Sequence, residues 1–154
     1  MAETRWLDSE EMAAWTAFLE ASHRVFHSVE QQLKTEAGLS HPQYEILVRL
    51  ASAGAAGLRM TELAEALVTS KSGLTYQVDR LEARGLVVRA AVCGDTRGIT
   101  AHITEAGDTA LREAAPGHVD HVRAVLIDRL DRHQLAVLAQ ALGDVNARLR
   151  QRGA

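Results

Sequence analysis

TELAEALVTSKSGLTYQVDRLEARGLVVRAAVCGDTRGITAHIT, residues 61–104, decides how this chain must fold. It reads as helix, turn, helix, strand, basic loop, strand. The Thr61 hydroxyl suits an N-cap, accepting an orphan N–H of a first helix that carries Leu63, Ala64 and Leu67. After a break at Val68 and Thr69, Ser70 caps a second helix, and Gly85 ends it as a C′ glycine. Leu74, Val78 and Leu81 recur there at i, i+4 and i+7, so they share one buried stripe. Lys71, Ser72, Thr75, Tyr76 and Asp79 are left on the opposite face. Leu86 to Ala91 then alternates as a strand, Val92 to Gly98 forms a tight loop, and Ile99 to Thr104 returns with Ile99, Ala101 and Ile103 on one face. The pattern predicts a helix-turn-helix followed by a two-stranded wing.

Two packed helices alone are common in proteins that never meet nucleic acid, but an added wing with Arg97 near its tip favours DNA. The polar face of the second helix is concentrated toward its N-terminal half, where a recognition helix touches base edges in a major groove. TELAEAL and SKSGLTYQVDRLEARGLV resemble the two helices of the MarR family of bacterial winged-helix transcriptional regulators. Asp95-Thr96-Arg97 is similar to that family's wing motif, HITEAG to its strand-to-helix junction, and GLSHPQYEILVRL to the helix preceding the motif. The resemblance covers about Trp6 to Leu149. It implies a mainly α fold with a small β-wing: a winged helix-turn-helix at residues 37–104, with N- and C-terminal dimerisation helices at 1–36 and 105–154.

A chain of 154 residues, 47% hydrophobic, can bury one good core. Aromatic residues make up 4% and proline occurs twice, which favours helices packed through Leu, Val and Ala. No apolar run approaches the roughly 18 residues of a membrane span. Met1 to Asp8 lacks the pattern of a secretory leader, so a cytoplasmic, non-membrane protein is expected. One cysteine, Cys93, excludes an intrachain disulfide and suits a reducing compartment.

A net charge of −3 argues against a DNA partner only when read over the whole chain. Between Ser70 and Arg97 the bases Lys71, Arg80, Arg84, Arg89 and Arg97 outnumber Asp79, Glu82 and Asp95, whereas acids predominate from Met1 to Glu36. Phosphate neutralisation needs only a local basic surface, and a dimer presents it twice.

Outside the central stretch, Asp8 with Glu11 forms a capping box for a helix from about Ser9 to Glu36. Met12, Trp15, Leu19, Ser22, Phe26, Val29 and Leu33 alternate there at spacings of 3 and 4, a seam for another helix. Gly38 stops that helix, and Ser40 with Gln43 starts the next, where Pro42 is tolerated in the first turn. Beyond the wing, Thr104 caps a long helix that Pro116-Gly117 should interrupt. Its second half is expected to bury Val119, Val122, Leu126 and Leu130. Asp131 with Gln134 opens the last helix, which carries Leu135, Leu138, Leu142, Val145 and Leu149. The N- and C-terminal seams exceed what one small core can cover, and they imply a homodimer.

Such a dimer sets its recognition helices in successive major grooves and predicts a pseudo-palindromic operator with half-sites about 10 base pairs apart or slightly more. Lys71, Ser72, Thr75 and Tyr76 are the candidate base and phosphate contacts on double-stranded DNA. Arg80 is a candidate for a phosphate or for an internal salt bridge. The resemblance implies that Arg97 enters the minor groove, and Asp95 is read as orienting it. Tyr76 stands where many relatives carry Arg, and Thr96 where many have a further wing Arg; both departures remove positive charge.

The resemblance also implies a small anionic or phenolic effector, for which Trp15, His23, His27, His41 and His118 are candidate contacts, each weighed against an ordinary structural role. His23 and His27, at i and i+4, and His118 and His121, at i and i+3, have metal-binding spacing, which leaves a zinc-responsive regulator as one alternative. Cys93, with Arg89 and Arg97 near it in sequence, raises the reading of a redox sensor. The peroxide-sensing branch of the family, however, has its cysteine near the start of the first helix, where this chain has none, so an incidental wing thiol is the better reading. No nucleophile elbow, metal-hydrolase motif or Gly-rich phosphate loop is present, so neither catalysis nor a cofactor is expected. The expected function is a ligand-responsive repressor. The alternative from another class is a winged helix that binds a protein partner.

Overall fold

Helix starts in this chain follow the side chains able to take up orphan N–H groups. The structure, a computed structural model, describes residues 4–91 and 98–152. Its helices are α1 (Ser9–Ala37), α2 (His41–Ala53), α3 (Met60–Ala66), α4 (Lys71–Ala83), α5 (Glu105–Val125) and α6 (Arg132–Arg152). Its strands are β1 (Leu58–Arg59), β2 (Val87–Ala91) and β3 (Ile99–Ile103). Asp8 accepts the Glu11 N–H at 2.8 Å and Glu11 returns the favour at 3.0 Å. Ser40 and Gln43 close a second capping box, and Asp131 and Gln134 a third. Ser70 accepts from the Gly73 N–H at 3.0 Å, and Thr104 from Gly107 at 3.0 Å. Gly38 and Gly85, at φ 62 and 71, end α1 and α4 in the left-handed region, where glycine pays no Cβ penalty.

Two compact units result: Phe26–His118, and Met1–Val25 with Val119–Ala154. The first holds the core. Leu33, Leu47, Leu50, Leu63, Leu74, Val78 and Leu81 are all fully buried. The α4 stripe of Leu74, Val78 and Leu81 thus packs inward as its spacing requires, against α2 and α3. A three-stranded antiparallel sheet, in the order β1-β3-β2, closes this unit, with Arg89 opposite Ala101 and Leu58 opposite Ala101 on the other side. The second unit contains no buried side chain among the described residues. Met12, Trp15, Val119, Leu142, Val145 and Leu149 are exposed there, although their spacing marks them as seam residues. None of the described helices is long and apolar enough to cross a membrane.

Several sequence expectations are corrected. Thr61 does not cap α3, which begins one residue earlier at Met60; the Glu62 carboxylate instead accepts the Arg59 N–H at 3.0 Å. The sheet has a third strand, β1, too short to carry a periodic signal. Pro116 does not interrupt α5, which runs unbroken from Glu105 to Val125. Within one chain Val119 is exposed and Val122, Leu126 and Leu130 are half-buried, as seams meant for a second subunit would be. Val68, in the turn between α3 and α4, takes φ 51, which is strained for a β-branched residue.

The first turn of α5 lies flush on the link between α4 and β2. The Thr104 hydroxyl donates to the Gly85 carbonyl at 2.7 Å, and a Cβ on Gly107 would lie 2.0 Å from the Leu86 carbonyl oxygen. Gly107→Ala should therefore destabilise the protein by about 2–3 kcal/mol through overpacking, although alanine is the better helix former. Urea denaturation of the two proteins checks this, and an unchanged midpoint would count against so close an approach.

Candidate nucleic-acid interface

The direction in which α4 turns its polar face follows from its buried stripe. With Leu74, Val78 and Leu81 inward, Lys71, Ser72, Thr75, Tyr76 and Arg80 are exposed. Thr75 Oγ1 donates to the Lys71 carbonyl at 2.9 Å, and Ser72 Oγ lies 3.3 Å from Ser70 Oγ. Tyr76 is 58% exposed, and the Arg80 guanidinium sits 5.8 Å from its ring centre, in cation–π range. Neither Lys71 nor Arg80 has a carboxylate partner among the described residues, so the sequence alternative of an internal salt bridge for Arg80 is not seen. The helix presents two hydroxyls, a phenol and two cations, a set that can donate to base edges and phosphates.

On one flank of α4, Arg89 of β2 is tied down. Its Nη2 meets Glu82 Oε2 and Asp79 Oδ1, each at 2.6 Å, its Nε meets Glu82 Oε2 at 3.0 Å, and its backbone N–H donates to Glu82 Oε1. The side-chain hydrogen bond from Arg89 holds the Glu82 carboxyl below its ordinary value, and the same bond raises the Arg89 guanidinium. Arg89 therefore belongs to the structure of the wing and is not the free cation its place in the basic segment suggested. Sequence alone hints at this in Asp79 and Glu82, which share a helix face at i and i+3.

The other flank borders a groove of about 460 Å³, lined by Tyr76, Gln77 and Arg80 of α4 and by Glu30, Lys34 and Ser40. Lys34 Nζ lies 2.9 Å from Glu30 Oε1, and Glu30 Oε2 accepts the His41 N–H at 2.6 Å. Burial pushes the Glu30 carboxyl up, but the His41 N–H and the Lys34 ammonium outweigh it and leave the group below its ordinary value. Arg84 Nη1 donates to the Gly38 carbonyl at 2.8 Å, tying the end of α4 to the α1–α2 junction. Sequence reasoning did not single out Glu30 or Lys34 as site residues, because nothing local shows that α1 ends beside α4.

Asp95 and Arg97, together with Cys93 and Thr96, lie outside the described residues. Of the candidate effector contacts, His41 and His118 are brought together, with ring centres 6.3 Å apart. Phe26 meets His41 edge-on at 5.7 Å, and Tyr44 lies 4.4 Å from His118. His27 is exposed on α1, while Trp15, stacked on Phe18 at 6.2 Å, and His23 belong to the other unit. Among the described residues no three His, Cys, Asp or Glu side chains converge as a metal site.

Residues 37–98 match the model of the MarR family. The chain is 39% identical to AbsC, a MarR family transcriptional regulator from Streptomyces coelicolor, over 96% of this chain and 99% of that one, with a TM-score of 0.88. It is 40% identical to Sco3205 of the same organism, a MarR family transcriptional regulator solved in complex with DNA; the match spans 94% of this chain and 90% of that one, with a TM-score of 0.90. The transcriptional repressor YetL of Bacillus subtilis (strain 168) is 28% identical, over 93% of this chain and 84% of its own length.

Removing the wing clamp should cost stability with a defined pH dependence. Arg89→Met is expected to lose about 1–2 kcal/mol at neutral pH, more than an isolated surface pair, since several charge-assisted hydrogen bonds go at once. Glu82 is depressed in the folded state, so this contribution is full above its ordinary value of 4.5 and is lost as the pH falls through the lowered folded value. Urea melts of both proteins along a pH series should therefore converge at acid pH; a gap that persisted there would assign the loss to packing.

Proposed function

The chain belongs to the MarR family, and from that membership we propose that it binds a pseudo-palindromic operator as a homodimer, represses transcription there, and leaves when a small-molecule effector binds. The observation that carries this reading is the orientation of α4. Its apolar stripe is buried, and Lys71 and Arg80, which have no carboxylate partner among the described residues, stand outward with Tyr76, Ser72 and Thr75. Residues 37–104 carry the DNA contacts in this reading, with Lys71, Ser72, Thr75, Tyr76 and Arg80 on base edges and phosphates. Arg97 supplies the minor-groove contact and Asp95 orients it.

Residues 1–36 and 105–154 supply the dimer contact. The support is the second unit, in which no described side chain is fully buried within one chain while apolar residues repeat at heptad-like spacing. An effector reading draws on the aromatic and imidazole cluster of Phe26, His41, Tyr44 and His118, which combines apolar faces with polar ring atoms. Trp15, His23 and His27 stay as weaker effector candidates, considered apart from that cluster. The cytoplasm is the compartment such a regulator requires.

A gel-shift titration against the DNA upstream of the chain's own gene, with random DNA as competitor, tests this reading. A shift that resists the competitor is expected. Tyr76→Ala should weaken it by about 10- to 100-fold, the size of one lost base contact. A titration in which random DNA competes as well as the specific fragment would remove the operator reading. Sedimentation equilibrium should give twice the chain mass, and Leu142→Glu should both halve that mass and abolish the shift; a monomeric wild-type protein that still shifts operator would refute the dimer.

A further inference from the structure

An α-helix is about 10–12 Å across with its side chains, and the major groove is about 12 Å wide, so a seated recognition helix has a row of phosphates along each flank. The flanks of α4 are not alike. On the wing side the described cation, Arg89, is held by Glu82 and Asp79. On the opposite side Lys34 and Arg80 line the same groove, with the Ser40 hydroxyl and the Gln77 amide between them. Its charges are Lys34, Arg80 and Glu30, a net excess of one positive. Both oxygens of Glu30 are already engaged, by Lys34 and by the His41 N–H, and among the described residues Arg80 has no carboxylate partner and lies against the Tyr76 ring.

We propose that this groove seats the DNA backbone on the side away from the wing, with Lys34 and Arg80 each neutralising a phosphate of the strand that borders α4 there. The inference rests on the DNA-binding reading above and adds Lys34, a residue of α1, to the interface. An open groove lined mainly by polar and charged side chains, two of them cations, suits an oxyanion carried on a continuous chain. Glu30 acts as the restraint on this site: it holds Lys34 in place and offsets part of its charge.

Salt dependence separates a phosphate contact from a base contact, because each neutralised phosphate contributes about −0.9 to the slope of log K against log salt. Fluorescence anisotropy on a labelled random duplex and on the upstream DNA measures that slope for the wild type, Lys34→Gln and Lys34→Arg. Lys34→Gln should flatten it by about 0.9 per lysine removed, or about 1.8 in a two-fold complex, and weaken both duplexes alike; Lys34→Arg should restore it. Glu30→Gln, which keeps an acceptor for the His41 N–H, should tighten binding and steepen the slope. An unchanged slope in Lys34→Gln, with wild-type binding intact, would overturn the groove and leave the regulator standing. A loss confined to the upstream DNA at constant slope would also overturn it. Failure of the wild type to bind either duplex at low salt would sink the regulator reading and the groove with it.

Discussion

The burial of Leu74, Val78 and Leu81 is the constraint on which everything at the interface depends. A helix packed through one stripe has a single rotational setting about its axis, and that setting decides which side chains meet a ligand. Here it turns Lys71, Ser72 and Tyr76 outward, Asp79 and Glu82 toward the wing, and Gln77 and Arg80 toward the α1–α2 junction. The Ser70 cap fixes where the helix begins, and the Arg84 to Gly38 hydrogen bond fixes where its end is held. Helix rotation is therefore set by the buried stripe, and start and end by local bonds, none of which uses Lys71, Thr75, Tyr76 or Arg80, so those positions are free to vary with little cost to the fold.

Much of this was legible in the sequence, and the reason is locality. Capping boxes at Asp8, Ser40 and Asp131, the Ser70 and Thr104 caps and the terminating glycines are satisfied by residues within three positions, so spacing alone identifies them. The readings that failed are those in which a distant partner outweighed a local preference. Thr61 is a competent cap, but pairing of Leu58 and Arg59 with β3 lets α3 begin at Met60. Pro116 lacks a donor, yet α5 continues through it. Arg89 reads as one more base in a basic segment until the fold sets it against two carboxylates. The groove beside α4 was invisible for the same reason: α1 and α4 are separated by more than thirty residues, and no periodicity records that Lys34 and Arg80 line one groove.

Charge follows the same logic of placement over total. The chain is acidic overall, at −3, yet its carboxylates near α4 are largely committed. Glu82 and Asp79 hold Arg89, and Glu30 holds Lys34 and the first N–H of α2. A weakly positive face on an acidic protein has low affinity for arbitrary polyanions, so in the proposed operator complex discrimination falls to the uncharged donors Ser72, Thr75 and Tyr76 and to DNA shape.

The second unit, with no buried side chain among its described residues, has a consequence beyond recognition if it pairs as proposed above. Helices that find their core only in another copy of a chain make folding a second-order process. Abundance then sets integrity as well as occupancy: a chain made in few copies spends longer with bare leucine seams, open to proteases and to mispairing, than one made in many. A regulator built this way carries a threshold in its own synthesis, below which it is cleared before it can act.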